Sequence, residues 1–149
     1  MFIRSFVVLL LFISVQAFAS KPAIYSHPHR DAIKGADVVA YYELEPGAKA
    51  VKGLKEITYE YGGATWRFAT EENRQKFIED PEKYIPAYGG YCAFAVAKGF
   101  LAPPRPNSWA IIDGKLYLNN NGTSHRIWEK SLEKHLARGD SNWPRVLEE

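Results

Sequence analysis

The most reactive side chains of this chain are its single cysteine, Cys92, and its four histidines. Cys92 lies in the stretch YGGYCAFAVAKG, among aromatic and small apolar residues at the start of a predicted helix. If His125 or His135 lies beside it, the two side chains suit copper, zinc or nickel as ligands, or form a thiolate–imidazolium nucleophile. The third interpretation is a thiol packed as a small hydrophobic core residue. All three remain open.

The residues that precede Cys92 form the candidate ligand pocket: Tyr88, Gly89, Gly90 and Tyr91. Glycines have no side chain, so a ligand or another backbone segment can approach them closely. The start of a helix also offers free backbone N–H groups to an anion. Close packing of the helix against a hairpin explains the same glycines equally well.

A second candidate metal site is the His-x-His pair formed by His27 and His29. In an extended chain, this spacing places both imidazoles on the same side. Two imidazoles suit Cu(II), Ni(II) or Zn(II), although two ligands make an incomplete site. Pro22 and Pro28 interrupt the segment, and solvated histidines are the more frequent explanation for such a pair.

Two hairpins are predicted to support these residues. Gly62-Gly63 is the two-residue turn between the alternating stretches KEITYEY and TWRF, and Asp113-Gly114 is a type I′ turn between SWAII and KLYLN. Their inward-facing residues are aromatic or branched, which is typical of strands that pack against a core.

Three main helices complete the prediction. Thr70 caps the first, which ends at Asp80-Pro81. The second covers residues 91–98 and ends at Gly99. The third is the amphipathic stretch GTSHRIWEKSLEKHLARGD, which Gly139 stops; its apolar stripe consists of Ile127, Trp128, Leu132 and Leu136. We expect the tail to fold Trp143 back onto the body.

Residues 1–19 have the pattern of a secretory signal peptide. Arg4 supplies the positive charge, residues 6–15 supply the apolar run, and Ala17-Phe18-Ala19 fits a cleavage site. The apolar run is shorter than the roughly 20 residues that span a membrane. The sequence therefore predicts cleavage after Ala19, a periplasmic or secreted location, and no membrane span in the mature chain. One cysteine cannot form an internal disulfide in such an oxidising compartment.

Composition narrows the possible partners. The formal net charge is +2, with both signs interspersed, so no basic patch is available for nucleic acid or anionic membranes. No Gly-rich phosphate loop, Ser-His-Asp order or zinc-protease motif is present. The partner classes that remain are an unknown small ligand, a metal ion and a protein. The length fits one domain, so the sequence predicts a leader over residues 20–35 and a small α+β domain over residues 36–149.

The stretch GGATWRFATEENRQKFIEDPEKYIP resembles the YHS domain, a small module of hairpin, Phe-rich strand end, helix and Pro-x-x-Tyr. The residues that carry the resemblance are Gly63, Trp66, Phe68, Phe77, Pro81 and Tyr84. The wider stretch from Ala32 to Leu147 is similar to the exported bacterial subfamily of YHS-domain proteins. In metal-binding relatives, cysteines occupy a Phe-Cys-x-x-x-Cys pattern and one upstream position. Here those positions match Ala69, Asn73 and the vicinity of Ala40, so the thiolate site of the relatives does not carry over.

The leading hypothesis is therefore an exported, non-enzymatic binding protein of YHS type. Its site is predicted near Cys92, with a small ligand at Tyr88, Gly89, Gly90 and Tyr91, or with a transition metal at Cys92 and His125, or at His27 and His29. The alternatives are a thiol-dependent redox accessory or enzyme that uses Cys92, and a protein-interaction module in which Cys92 is structural.

Overall fold

A computed structural model describes residues 20–26 and 31–149. The predicted signal peptide and the pair His27 and His29 lie outside the described residues. The first hairpin consists of β1 (Leu54–Tyr61) and β2 (Ala64–Phe68), which pair antiparallel. Its turn is Gly62-Gly63, as predicted, and both glycines have the positive φ angles that a type I′ turn requires.

The second hairpin consists of β3 (Arg105–Ile112) and β4 (Lys115–Asn119), joined by the predicted turn at Asp113-Gly114. The two hairpins form separate two-stranded sheets. In β4, Leu116 and Leu118 are fully buried, whereas Lys115 and Tyr117 are only partly buried. This alternation follows from the period of two along a strand, and it directs Lys115 and Tyr117 to the face opposite the two leucines.

The first two helices close one side of the fold. Helix α1 (Glu71–Glu79) begins as predicted, because the side chain of Thr70 accepts a hydrogen bond from the backbone N–H of Asn73 at 3.1 Å. Helix α2 (Pro81–Tyr84) follows directly and starts with proline, which suits the first turn because its missing N–H would have no partner there.

Helix α3 (Ala93–Lys98) begins two residues later than predicted, because Tyr91 and Cys92 have extended backbone angles. It ends at Gly99, which adopts the expected left-handed conformation with φ of 92°. A 3-10 turn (Ala87–Gly90) precedes it. Further 3-10 turns cover Ala32–Gly35, Ala40–Glu43 and Arg145–Leu147.

The predicted third helix is two helices, α4 (Gly122–Lys130) and α5 (Leu132–Asn142). Ser131, between them, has non-helical backbone angles, which separates His125 from His135. The prediction that Gly139 stops the helix is wrong, since α5 continues to Asn142. The prediction that Ile127 belongs to the apolar stripe is also wrong, because its side chain is 45% exposed.

Two adjoining clusters make up the core and confirm a small α+β fold. One cluster packs the first hairpin and α1 against β4, around Trp66, Phe77 and Leu118. The other packs α3, α4 and the C-terminal tail, and Trp143 folds back onto Tyr88 and Tyr91 as predicted. The domain boundary at residue 36 stays a prediction, although Ile24 and Ile33 are buried in the first cluster. No helix among residues 20–26 and 31–149 is long and apolar enough to cross a membrane.

Candidate functional site

A groove of about 650 Å³ lies between the first hairpin, β4 and the C-terminal end of α5. We call it the Tyr88 groove, and define it by the residues that line it: Ala23, Ile24, Tyr61, Gly62, Glu82, Ile85, Pro86, Ala87, Tyr88, Gly89, Lys115, Tyr117, Asp140 and Trp143. Its volume falls within the range of roughly 300–1,000 Å³ that is typical of small-molecule sites. Two of the predicted ligand residues, Tyr88 and Gly89, belong to it.

Tyr88, which lines this groove, has an unusual backbone. Its φ of 56° and ψ of 33° lie in the left-handed region, which is unfavourable for a residue with a side chain. The phenol O–H donates a hydrogen bond to Oδ1 of Asp140 at 2.9 Å. Burial, and then the neighbouring carboxylate of Asp140, raise the pKa of Tyr88 far above its ordinary value. The phenol is therefore a fixed, uncharged hydrogen-bond donor.

Lys115 supplies a cation to the same groove. Its Nζ donates to the backbone carbonyl of Glu82 at 3.1 Å. Within the described part of the chain, no carboxylate oxygen lies within 4 Å of this nitrogen. Burial lowers the pKa of Lys115, which the carboxylate of Glu82 opposes to a smaller extent. The ammonium group thus lacks a close ionic partner in a partly desolvated position.

Packing within the chain accounts for both glycines and for Tyr91 of the predicted pocket. A Cβ atom on Gly89 would lie 1.7 Å from the carbonyl oxygen of Ala23, and one on Gly90 would lie 2.1 Å from Cδ1 of Ile33. The hydroxyl of Tyr91 donates to the carbonyl of Pro22 at 2.8 Å. The close approach that the two glycines allow is therefore made by the N-terminal segment of the domain.

Cys92 lies outside the Tyr88 groove and is only 1% exposed. It is the N-cap residue of α3, but its side chain does not cap the helix. Asn119, at the end of β4, does so instead: its Oδ1 accepts the backbone N–H of Phe94 at 2.9 Å. The same oxygen accepts the Cys92 thiol at 3.5 Å. The thiol is thus held against a buried amide.

Asn119 also connects this region to His125. Because its oxygen must face the N–H of Phe94, its amide NH₂ faces Nδ1 of His125, at 3.2 Å. Nδ1 therefore accepts that hydrogen bond, and the imidazole proton is on Nε2, which donates to Oε1 of Glu129 at 3.1 Å. The Asn119 amide thus lies between the Cys92 thiol and the His125 ring, each of which it contacts.

His135 is in a different place from His125. It is 7% exposed on α5, and its Nδ1 lies 2.9 Å from the carbonyl oxygen of Trp128 on α4. An imidazole nitrogen next to a carbonyl oxygen must carry the proton. His135 therefore donates to the end of α4 and holds the two helices together.

The residues that the structure describes do not form a cluster suited to a metal ion. Among residues 20–26 and 31–149, no group of three or more His, Cys, Asp or Glu side chains could hold one. The positions that match the cysteines of metal-binding relatives surround the fully buried carboxylate of Asp37 instead. That carboxylate accepts backbone N–H groups of Val39, Ala40 and Ala69 and the amide of Asn73, at 2.8–3.1 Å. Hydrogen bonds occupy the place where the resemblance implies thiolates.

Sequence reasoning missed three polar residues that the fold brings together in the Tyr88 groove, Lys115, Tyr117 and Asp140. It also missed two polar residues that are fully buried elsewhere, Asp37 and Asn119. The strand alternation around Leu116 and Leu118 was the available signal for Lys115 and Tyr117. Asp140 had no such signal, because its position depends on α5 continuing beyond Gly139. Asn119 is the first of three consecutive asparagines, and the sequence does not show which of them turns inward.

Comparison with known proteins identifies one region of the chain. A family model described as YHS domain matches residues 47–88. The match covers the first hairpin, α1 and α2, and it ends at Tyr88. Neither the curated proteins nor the solved structures contain a significant match.

Proposed function

Because the chain contains a YHS domain at residues 47–88, we propose that it is a non-enzymatic binding protein that holds a small organic ligand in the Tyr88 groove. The observation that carries this proposal is the composition of that groove. It combines a volume of about 650 Å³ with aromatic walls, an ammonium group that lacks a close carboxylate, and a strained tyrosine. Most ligand pockets are apolar clefts with a few converging polar groups.

The position of the groove also supports this function. One wall comes from the region that matches the YHS domain, including Tyr61, Glu82 and Tyr88. The facing wall comes from β4 and the C-terminal end of α5, through Lys115 and Asp140. The groove thus lies between the region that matches the YHS domain and elements outside that region, so both parts would contact a ligand.

The backbone of Tyr88 adds an independent argument. A left-handed conformation costs a residue other than glycine roughly 1–2 kcal/mol, and such strain is concentrated at functional sites. Here the strained residue donates its phenol O–H to Asp140, and both residues line the groove. The strained backbone is thus part of the wall that a ligand would contact.

The polar groups indicate the kind of ligand. Lys115 favours a ligand with an electron-rich acceptor oxygen, whereas the carboxylates of Glu82 and Asp140, which line the same groove, disfavour a ligand with net negative charge. The rings of Tyr117 and Trp143 favour a planar or aromatic body. We therefore propose a small, polar, planar molecule that has at least one acceptor oxygen.

Native mass spectrometry tests this function. The full-length chain is incubated with a small-molecule extract of the cells that produce it, desalted and measured. We expect one added mass at 1:1 stoichiometry, which Lys115→Met loses and Lys55→Met keeps, since Lys55 is exposed and lines none of the grooves described. A bare polypeptide mass from correctly folded protein, with an unchanged melting temperature, would refute the proposal, because a ligand specific to the folded state must raise its stability.

The metal and thiol hypotheses for Cys92 need separate experiments. Elemental analysis of chelator-free protein tests a metal at Cys92 and His125: a stoichiometric metal that disappears in Cys92→Ser would support it. Burial and the hydrogen bond to Asn119 argue against an accessible thiol nucleophile. We therefore favour a structural role for Cys92.

We further propose that the protein is exported to the periplasm or secreted, on the basis of the signal pattern in residues 1–19. The intact mass of the protein recovered from its own cells tests this. A mature chain that starts at Ser20 would support export with the predicted cleavage, whereas a chain that retains Met1 would contradict cleavage.

A further inference from the structure

A second groove, of about 510 Å³, lies between the turn after Tyr42 and strand β3, and ends at helix α4. We call it the Trp109 groove. It is lined by Tyr41, Tyr42, Leu44, Pro46, Gly47, residues 107–112, Gly122, His125 and Glu129. It shares no lining residue with the Tyr88 groove. We propose that it binds an organic cation with an apolar body, whose ammonium group contacts the carboxylate of Glu129.

The aromatic side chains in the walls of this groove favour an apolar body, because their N–H and O–H groups already have hydrogen-bond partners. The hydroxyl of Tyr41 donates to the carbonyl of Pro106 at 2.7 Å, and the indole N–H of Trp109 donates to the carbonyl of Ala48 at 2.8 Å. The hydroxyl of Tyr42 is likewise bonded to two backbone carbonyls. What these side chains can still offer a ligand is ring surface, to which Leu44 and the isoleucines of β3 add aliphatic surface.

The end of the groove favours a cation because Glu129 is the one formally charged residue among the described residues that line it. No lysine or arginine nitrogen in the described part of the chain lies within 4 Å of its carboxylate. Its neighbour His125 contacts Oε1 of the carboxylate through Nε2, at 3.1 Å, as a hydrogen-bond donor. Arg126 and Lys130 line a different cavity of α4, with Thr123 and Ile127.

Charge and shape therefore point to the same ligand class. The carboxylate accepts one hydrogen bond, from His125, and retains acceptor capacity for an ammonium N–H. Aromatic rings in the wall also attract cations held over their faces. An anionic ligand would find no compensating cation among the described residues that line the groove.

The test compares two probes of the same shape, 4-phenylbutylamine and its neutral counterpart 4-phenyl-1-butanol, by isothermal titration calorimetry with the full-length chain. We expect the amine to bind about tenfold more tightly than the alcohol, since a charge-assisted hydrogen bond contributes more than a neutral one. In Glu129→Gln, the amine and the alcohol should bind with about equal affinity. The amide oxygen of glutamine still accepts from His125, so the variant should fold.

Two further variants separate the contribution of the Glu129 carboxylate from that of the apolar wall. Glu133→Gln is the matched control, because Glu133 is exposed on α5 and does not line the groove; the preference should remain. Leu44→Asn should lower the affinity for both probes by a similar factor and leave the ratio of the two affinities unchanged. The proposal is overturned if neither probe binds, if amine and alcohol bind equally, or if the preference survives in Glu129→Gln. This result does not depend on the Tyr88 groove.

Discussion

Replacement of Asn119 by alanine should be one of the most destabilising single changes in this fold. Asn119 is fully buried and has three partners: the N–H of Phe94, the thiol of Cys92 and Nδ1 of His125. The hydrogen bond to Phe94 provides the helix cap that Cys92 does not supply. No other side chain caps the start of α3 among the described residues.

The size of the effect follows from what the truncation leaves behind. An unsatisfied buried backbone N–H costs about 1–3 kcal/mol. The missing amide also leaves a cavity, which costs roughly 24 cal/mol per Å³ where the surroundings do not collapse. We therefore expect Asn119→Ala to lower the free energy of unfolding by about 2–4 kcal/mol. Asn120→Ala is the matched control, because Asn120 donates to the carbonyl of Pro103 and accepts from the side-chain amide of Asn121 outside the core, and the loss of both hydrogen bonds should cost about 1 kcal/mol.

Urea denaturation of the wild type and both variants measures these differences, with unchanged slopes as evidence of a comparable transition. A ¹⁵N NMR spectrum of the histidine ring tests the second part of the reasoning. In the wild type at neutral pH, the proton of His125 should be on Nε2, and this preference should weaken in Asn119→Ala. Equal stabilities of Asn119→Ala and Asn120→Ala, or a wild-type proton on Nδ1, would refute the assigned hydrogen-bond chain.

Three further outcomes follow from close contacts in the core. Gly139→Ala should destabilise the protein by about 1–3 kcal/mol in urea denaturation, because the new Cβ would lie 2.4 Å from the Tyr88 hydroxyl. The control Gly122→Ala should be neutral or stabilising, because its Cβ would make only ordinary contacts. Equal effects of the two substitutions would contradict this packing. Alkylation of Cys92 should be about 10³-fold slower in native buffer than in urea, and labelling at the rate of a free thiol would show that the thiol is accessible. Because the pKa of Tyr88 is raised, only the unfolded state loses the phenol proton above about pH 10. Above that pH, the free energy of unfolding should therefore fall more steeply in the wild type than in Tyr88→Phe, by up to about 1.4 kcal/mol per pH unit. Parallel pH profiles of the two proteins would argue against a protected phenol.

Local signals in the sequence were sufficient for the hairpins and the first helix. Gly62-Gly63 and Asp113-Gly114 specify turns by their own backbone preferences, and Thr70 caps a helix through a residue only three positions away. The break at Ser131 has no comparable signal. It depends on tertiary contacts such as the hydrogen bond between His135 and the carbonyl of Trp128, which the periodicity of one continuous helix cannot reveal.

The difference between local signals and long-range contacts also explains which site residues the sequence could predict. Tyr88 and Gly89 were predicted because an aromatic residue beside two glycines is a local pattern, and they do line a groove. Their partners Lys115 and Asp140 come from β4 and α5, and only long-range packing brings them together. Cys92 is a candidate site residue in the sequence because it is the single cysteine. Its reactivity, however, depends on burial and on Asn119, which is 27 positions away in the chain. A residue type therefore indicates what chemistry is available, whereas its neighbours in space decide whether that chemistry is used.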